Sequence, residues 1–311
     1  NLFVHHDIML SAFPLCTEWL PYNPSTAKSA NMLIVGTFLP GIEIWDLDVL
    51  DALEPVTVLG GQVEESRKKI LKKKKKSNLK PGSHADAVLS LNVHPTRHNI
   101  LASGSADQTV KVWDITQSKC VHTYNHHSNK VQVVRWNPKE ESVLLTGSFD
   151  QTVHVFDASK PENSISCKLD GDLESAAWNP NNHMLFAAST ESGSIVYQDA
   201  RSLESKPVME FKAHDKAVSA ISFSKDVPSM LASVSTDKRI KIWDLDSTVE
   251  TSTGVMPKLI AEKVPKNADE LFCCSFYQDS PWVLAAGGRS GELIIWDTAE
   301  NPEIVKTFSD R

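Results

Sequence analysis

Two sets of side chains in this sequence have the residue types of nucleophilic catalysis: His84, Ser103 and Asp107, and, at identical spacing, His214, Ser233 and Asp237. A serine hydroxyl polarised by an imidazole, itself oriented by a carboxylate, attacks acyl carbons in many hydrolases. The context argues for a different job. Each set is completed by a tryptophan six residues after the Asp, Trp113 and Trp243, and neither serine stands in a Gly-x-Ser-x-Gly elbow. A third, altered copy keeps the spacing with His127, Thr146, Asp150 and Phe156. An active site is built once, whereas a framework device is built once per repeat. These residues are therefore read as structural hydrogen-bond relays, each tying the loop before a repeat to its inner strands, and no catalytic residue is expected.

The elements that must position them recur along the chain. Segments starting at Val88, Val131 and Val218 align without a gap, and each reaches an aromatic residue 25 positions later: Trp113, Phe156 and Trp243. Leu173 to Gln198 and Leu271 to Trp296 keep the interval with weaker chemistry. An earlier copy runs through Trp19 to Trp45 with about six extra residues near Ser25 to Ala30. The closing aspartates, at 46, 114, 157, 199, 244 and 297, bracket the WD-repeat period of about 40 to 45 residues once two insertions are allowed for. Within each copy, apolar and polar residues alternate at period two between turn residues such as Gly104, Asp107, Gly147 and Asp150, which predicts short antiparallel strands, four to a blade. The expected fold is all-β: a WD-repeat β-propeller occupying residues 1–311 as a single domain, with six complete blades here and seven in the intact protein. Glu303 to Phe308 reads as the outer strand of the last blade. Leu2 to Val4 reads as the outer strand of a further blade, or else closes a six-bladed ring. In blades one, four and six, Leu39, Ser192 and Ser290 stand at the Asp position, so apolar packing is expected to hold those blades.

Composition narrows the function. With 41% hydrophobic and 23% charged residues, the chain has the makings of an ordinary soluble protein. It has no apolar run long enough for a membrane span, and no secretory leader is expected. Cys16, Cys120, Cys167, Cys273 and Cys274 form no C-x-x-C pair and are odd in number, which points to reduced, mostly buried thiols in an intracellular compartment. The His5-His6 and His126-His127 pairs lack carboxylates or cysteines at ligand spacing, so no metal is expected. Phosphate-cradling loops are absent as well. No cofactor or small-molecule substrate is expected.

The net charge of -7 hides a sorting of charge. Arg67, Lys68, Lys69, Lys72, Lys73, Lys74, Lys75, Lys76 and Lys80 supply nine positive charges with no negative one between them, leaving -16 on the rest. They lie in an insertion spanning residues 60–83, between blades one and two, where mutual repulsion predicts an extended, flexible segment. Three readings stay open: a solvated loop, a nuclear-targeting signal, or a contact with RNA phosphates. The segment has no aromatic residue, so base stacking from it is not expected.

The segments FVHHDIMLSAFPLCTEWL, IEIWDLDVLDALEP with its lysine-rich sequel, HADAVLSL and ASGSADQTVKVWD together resemble the periodic tryptophan protein 1 family of WD-repeat proteins. The resemblance covers essentially the whole chain. It implies a non-catalytic scaffold of the nucleolus and nucleus, acting in ribosome biogenesis on large-subunit precursor particles and precursor rRNA. Its partners would be assembly factors, ribosomal proteins and rRNA. A chromatin or histone adaptor is the alternative. A ubiquitin-ligase substrate receptor, suggested by Asp199-Ala200-Arg201, is a further one.

Overall fold

The computed structural model describes residues 7–26, 28–63, 79–251, 254–267 and 269–309. The chain divides into two compact units, 1–136 and 137–311.

The first unit holds two antiparallel four-stranded meanders and one further strand. β1 (Pro14–Asn23), β2 (Lys28–Thr37), β3 (Gly41–Asp46) and β4 (Thr57–Gly60) pair in chain order. The extra residues near Ser25 lengthen the first hairpin, where Tyr22 pairs with Ser29 and Asn23 with Lys28. β5 (Val88–Val93), β6 (Ile100–Ser105), β7 (Val110–Asp114) and β8 (Lys119–Tyr124) form the second sheet, and β9 (Val131–Trp136) follows. Their facing apolar residues, Ile34, Ile42, Val88, Leu91, Leu101 and Trp113 among them, make one core.

The second unit begins with β10 (Val143–Ser148), β11 (Thr152–Asp157) and β12 (Lys160–Lys168). Two four-stranded sheets follow: β13 (Leu173–Trp178), β14 (Leu185–Thr190), β15 (Ser194–Asp199) and β16 (Met209–Lys212), then β17 (Ala220–Phe223), β18 (Met230–Val234), β19 (Ile240–Thr251) and β20 (Gly254–Lys263). The last sheet has three described strands, β21 (Leu271–Phe276), β22 (Val283–Gly288) and β23 (Leu293–Asp297).

Glu303 to Phe308 is not an outer strand. It belongs to a helix, α1 (Pro302–Phe308), capped by the Asn301 side chain, which accepts from the Glu303 amide. Proline at the first helical position, an acid in the first turn and Lys306 in the last all favour a helix. Ile304 and Phe308, four residues apart and therefore on one helix face, are buried in the core with Leu284 and Trp296. The expected strand at Leu2 to Val4 lies outside the described residues.

Polar side chains on the innermost strands stitch successive sheets together. Glu18 of β1 accepts from the Val93 amide of β5, Asn92 of β5 from the Trp136 amide of β9, and Ser222 of β17 from the Phe276 amide of β21. All three acceptors occupy the same strand position. Two residues earlier, Ser90 accepts from Val134 and Ser175 from Ile221. A register shift precedes Cys16, Ser90, Ser175 and Cys273 in their strands, the kind of bulge that re-aims a side chain. Sequence reasoning passed over these residues, although a polar side chain at alternate positions of an otherwise apolar inner strand was the signal.

Candidate functional site

The relay residues of the second and fifth repeats come together in matching geometry. His84 Nδ1 lies 2.9 Å from an Asp107 oxygen, His84 Nε2 lies 2.7 Å from Ser103 Oγ, and the Trp113 indole donates to the same hydroxyl at 2.8 Å. In the fifth repeat the distances are 2.9 Å for His214 to Asp237, 2.8 Å for His214 to Ser233 and 2.9 Å for Trp243 to Ser233. An indole N–H only donates, so each serine oxygen accepts from tryptophan, and because the imidazole Nδ1 faces an acceptor-only carboxylate, the serine proton goes to Nε2. The proton on Nδ1 then points at the carboxylate. Burial lowers the His84 pKa, outweighing the Asp107 contacts that raise it, so the ring stays neutral. Burial works to raise Asp107 and Asp237, but hydrogen bonds from the histidines, with help from neighbouring backbone amides, hold both below the usual carboxylate range. Ser103 and Ser233 are 0% exposed. A hydroxyl sealed in this way, with tryptophan on its lone pair, offers an electrophile no approach.

In the third repeat His127 and Thr146 are each buried, and Asp150 accepts from the amide and hydroxyl of Thr152. Among the described residues, no cluster of His, Cys, Asp and Glu could hold a metal ion. His5 and His6 lie outside the described residues. The cysteines are free: Cys273 is exposed and the other four are half-buried, so the expectation of mostly buried thiols is too strong.

Apolar packing alone does not hold the first and fourth repeats. In the first, the buried Glu43 carboxylate accepts from the Trp45 indole at 3.0 Å and from the Ser11 hydroxyl. In the fourth the charges trade places: Asp170, in the loop before the repeat, accepts from Ser192 at 2.6 Å and from Thr190 at 2.9 Å. Carboxylate and hydroxyl have swapped sides of the same joint.

The basic insertion is rooted against the second relay. Gly61 donates to Ser83 Oγ at 2.9 Å, Ser83 donates to the His84 carbonyl at 2.8 Å, Lys80 donates to the Gly61 carbonyl at 2.9 Å, and Gln62 and Leu79 form an antiparallel bridge. A Cβ on Gly60 would lie 3.1 Å from the Trp113 ring. Gly60 is the last residue of β4, and these bonds join the chain on the two sides of the insertion at its base. Lys80 is exposed on this stem; Arg67, Lys68, Lys69 and Lys72 to Lys76 lie outside the described residues.

A model of the WD domain, G-beta repeat family matches residues 75–114, 118–157, 205–244 and 263–297. It passes over the repeats that close at Asp46 and Asp199, in which Leu39 and Gln198 depart from the pattern. A WD repeat-containing protein of Schizosaccharomyces pombe is 44% identical over 100% of the chain. The periodic tryptophan protein 1 homolog of Drosophila melanogaster is 34% identical, and periodic tryptophan protein 1 of Saccharomyces cerevisiae is 33% identical, each over 99% of the chain. The chain belongs to the periodic tryptophan protein 1 family. Its fold class is the WD-repeat β-propeller. The chain spans between 56% and 64% of the length of these three relatives.

The Asp199-Ala200-Arg201 element is closed on itself, Arg201 binding Asp199 through two nitrogens at 3.0 and 2.6 Å.

Proposed function

We propose that this protein is a non-catalytic scaffold in ribosome biogenesis, working in the nucleolus on precursors of the large subunit. Propeller faces bind assembly factors and ribosomal proteins, and the Arg67 to Lys80 segment neutralises phosphates of precursor rRNA. The observation that supports this reading is a run of nine cations in an otherwise acidic chain, in a segment whose two sides are joined at Gln62–Leu79 and Lys80–Gly61, in a family whose named members match it over 99% of its length. The relay residues hold the blades that present this segment. Residues 1–311 are read as acting together as one propeller domain.

Phosphate contacts leave a salt signature. If about five of the cations engage single-stranded RNA, log affinity falls with log salt at a slope near -3.5. Replacing Arg67, Lys68, Lys69 and Lys72 to Lys76 by glutamine should flatten that slope to near zero, measured by fluorescence anisotropy with a precursor rRNA fragment. In cells, crosslinked RNA should be enriched in large-subunit precursor sequence. An unchanged slope in the glutamine variant would remove the RNA contact. Histones retained after nuclease treatment, without rRNA enrichment, would favour the chromatin reading instead.

A further inference from the structure

The first repeat carries exposed aromatic rings where its neighbours carry a relay. Leu39 takes the place of the relay aspartate, and the ring of the residue before it, Phe38, lies 6.4 Å from the Phe13 ring at a tilt of 45°. The Phe38 amide donates to the Phe13 carbonyl at 3.4 Å, which holds the two residues side by side. Phe13 is 72% exposed, Phe38 60% and Leu39 42%. A single apolar side chain in water is ordinary, but two rings and a leucine grouped on one end of a sheet make a patch of the kind that marks an interaction site.

Strand register places this patch beside the base of the basic segment. β1 begins, β2 ends, β3 begins and β4 ends at one end of the sheet, because Pro14 pairs with Thr37, Gly36 with Ile42 and Gly41 with Gly60. Neighbouring strands lie about 4.8 Å apart, so the turn bearing Phe38 stands about 5 to 10 Å from the end of β4, and Phe13 about 14 Å. At the end of β4, Gly61 lies against Gly41, whose Cβ would come within 3.3 Å of the Gly61 Cα, and the Gly61 carbonyl accepts from the Lys80 amide at 2.9 Å. Lys80 is exposed. The insertion that it closes carries eight more cations with no anion between them.

We propose that Phe13 and Phe38 form a stacking platform for the bases of single-stranded RNA whose phosphates run toward Lys80. The proposal rests on reading the insertion as an RNA contact, and it supplies what that segment lacks, since the insertion has no aromatic residue of its own. Proteins that hold single strands combine cations that track the backbone with aromatic side chains that take the base faces. Such recognition tolerates many sequences, because every base has a π face. A ligand must be both anionic and rich in flat apolar surface to use the two features together. Paired RNA keeps its bases stacked inside the helix and shows mostly shape, 2′-hydroxyls and phosphates; an acidic peptide brings charge without the flat faces.

The test is fluorescence anisotropy with the full chain and two labelled probes, a short oligoadenylate and an abasic sugar-phosphate oligomer of equal length and charge. The oligoadenylate should bind at least about ten-fold more tightly. Combining Phe13→Leu with Phe38→Leu keeps apolar area and removes the π faces. That pair should bring the oligoadenylate down to the abasic affinity, with the salt slope and the unfolding midpoint unchanged. If it fails to fold, Phe38→Leu alone, on the exposed turn, should cost at least about five-fold. Affinity that survives the leucine pair and falls only when both rings become alanine would make the contact merely apolar, of the kind a protein partner uses, and would overturn the platform. Equal affinity of the two probes for the parent, with a steep salt slope, would also overturn it while leaving the phosphate contact standing. Binding of neither probe would remove both.

Discussion

Truncating Ser103 isolates the worth of one relay. Ser103→Ala leaves the Trp113 indole N–H and His84 Nε2 without their partner, a loss of about 1 to 3 kcal/mol for each buried group. Urea unfolding should show it as a lower midpoint with unchanged slope; a midpoint equal to that of the parent would mean the relay is not structural. Acid sensitivity follows from the same ring. The folded-state pKa of His84 is depressed, so its contribution is complete above the unfolded value of about 6.5 and is lost as pH falls below it, because the unfolded chain takes up the proton first. The depressed aspartates add a second loss below about pH 4. His84→Asn should therefore be less stable at pH 7.5 but show a flatter decline toward pH 5.5. The His-Ser-Asp-Trp sets were legible in sequence because their spacing repeats to the residue. Glu43 and Asp170 were not, because each delivers the carboxylate from a position the repeat pattern leaves unassigned.

One turn shows how side chain and backbone share a task at the scale of the element. Gln108, Gln151 and Lys238 hold positive φ of 70°, 65° and 73°, each directly after the Asp of its repeat. That Asp accepts from the amide two residues on, at 2.9, 3.0 and 3.0 Å, a local bond that stabilises the turn. Where serine replaces Asp, the equivalent contacts lengthen to 3.3 Å at Ser192 and Ser290. There the positive-φ residue is glycine, Gly193 and Gly291, which adopts that conformation without steric cost. Gly193→Ala should be severely destabilising, because its Cβ would lie 2.4 Å from the His214 carbonyl oxygen, whereas Gly291→Ala meets nothing within 4 Å and should cost only the backbone strain. Thermal midpoints of the two variants would separate these effects, and equal shifts would refute the steric account. The helix at Pro302 shows the opposite lesson in legibility. Its cap, proline and i, i+4 apolar pair were all present, yet the place in the repeat argued for a strand and outweighed local chemistry that was the better guide.

For the whole molecule, the repeat period disclosed the fold class, and the family resemblance supplied the biological setting that no single residue could. Stitching between inner strands ties neighbouring strands together within each unit, as Glu18, Asn92 and Ser222 show. If residues 1–311 act as one domain, heat should unfold the chain in a single transition with calorimetric and van't Hoff enthalpies equal. Two resolved transitions would instead assign independent stability to 1–136 and 137–311. The edge of β23, with Leu293 61% and Ile295 44% exposed, was misjudged because the residues assigned to its outer strand are helical. The bridge between Gln62 and Leu79 reaches further. Two chain ends pinned side by side behave as the neck of a cassette: doubling the length held between them costs only about 0.6 kcal/mol in closure entropy, so cation number there is free to drift, be trimmed or be exchanged without renegotiating the blades. The length of that segment is thereby uncoupled from the packing of the blades.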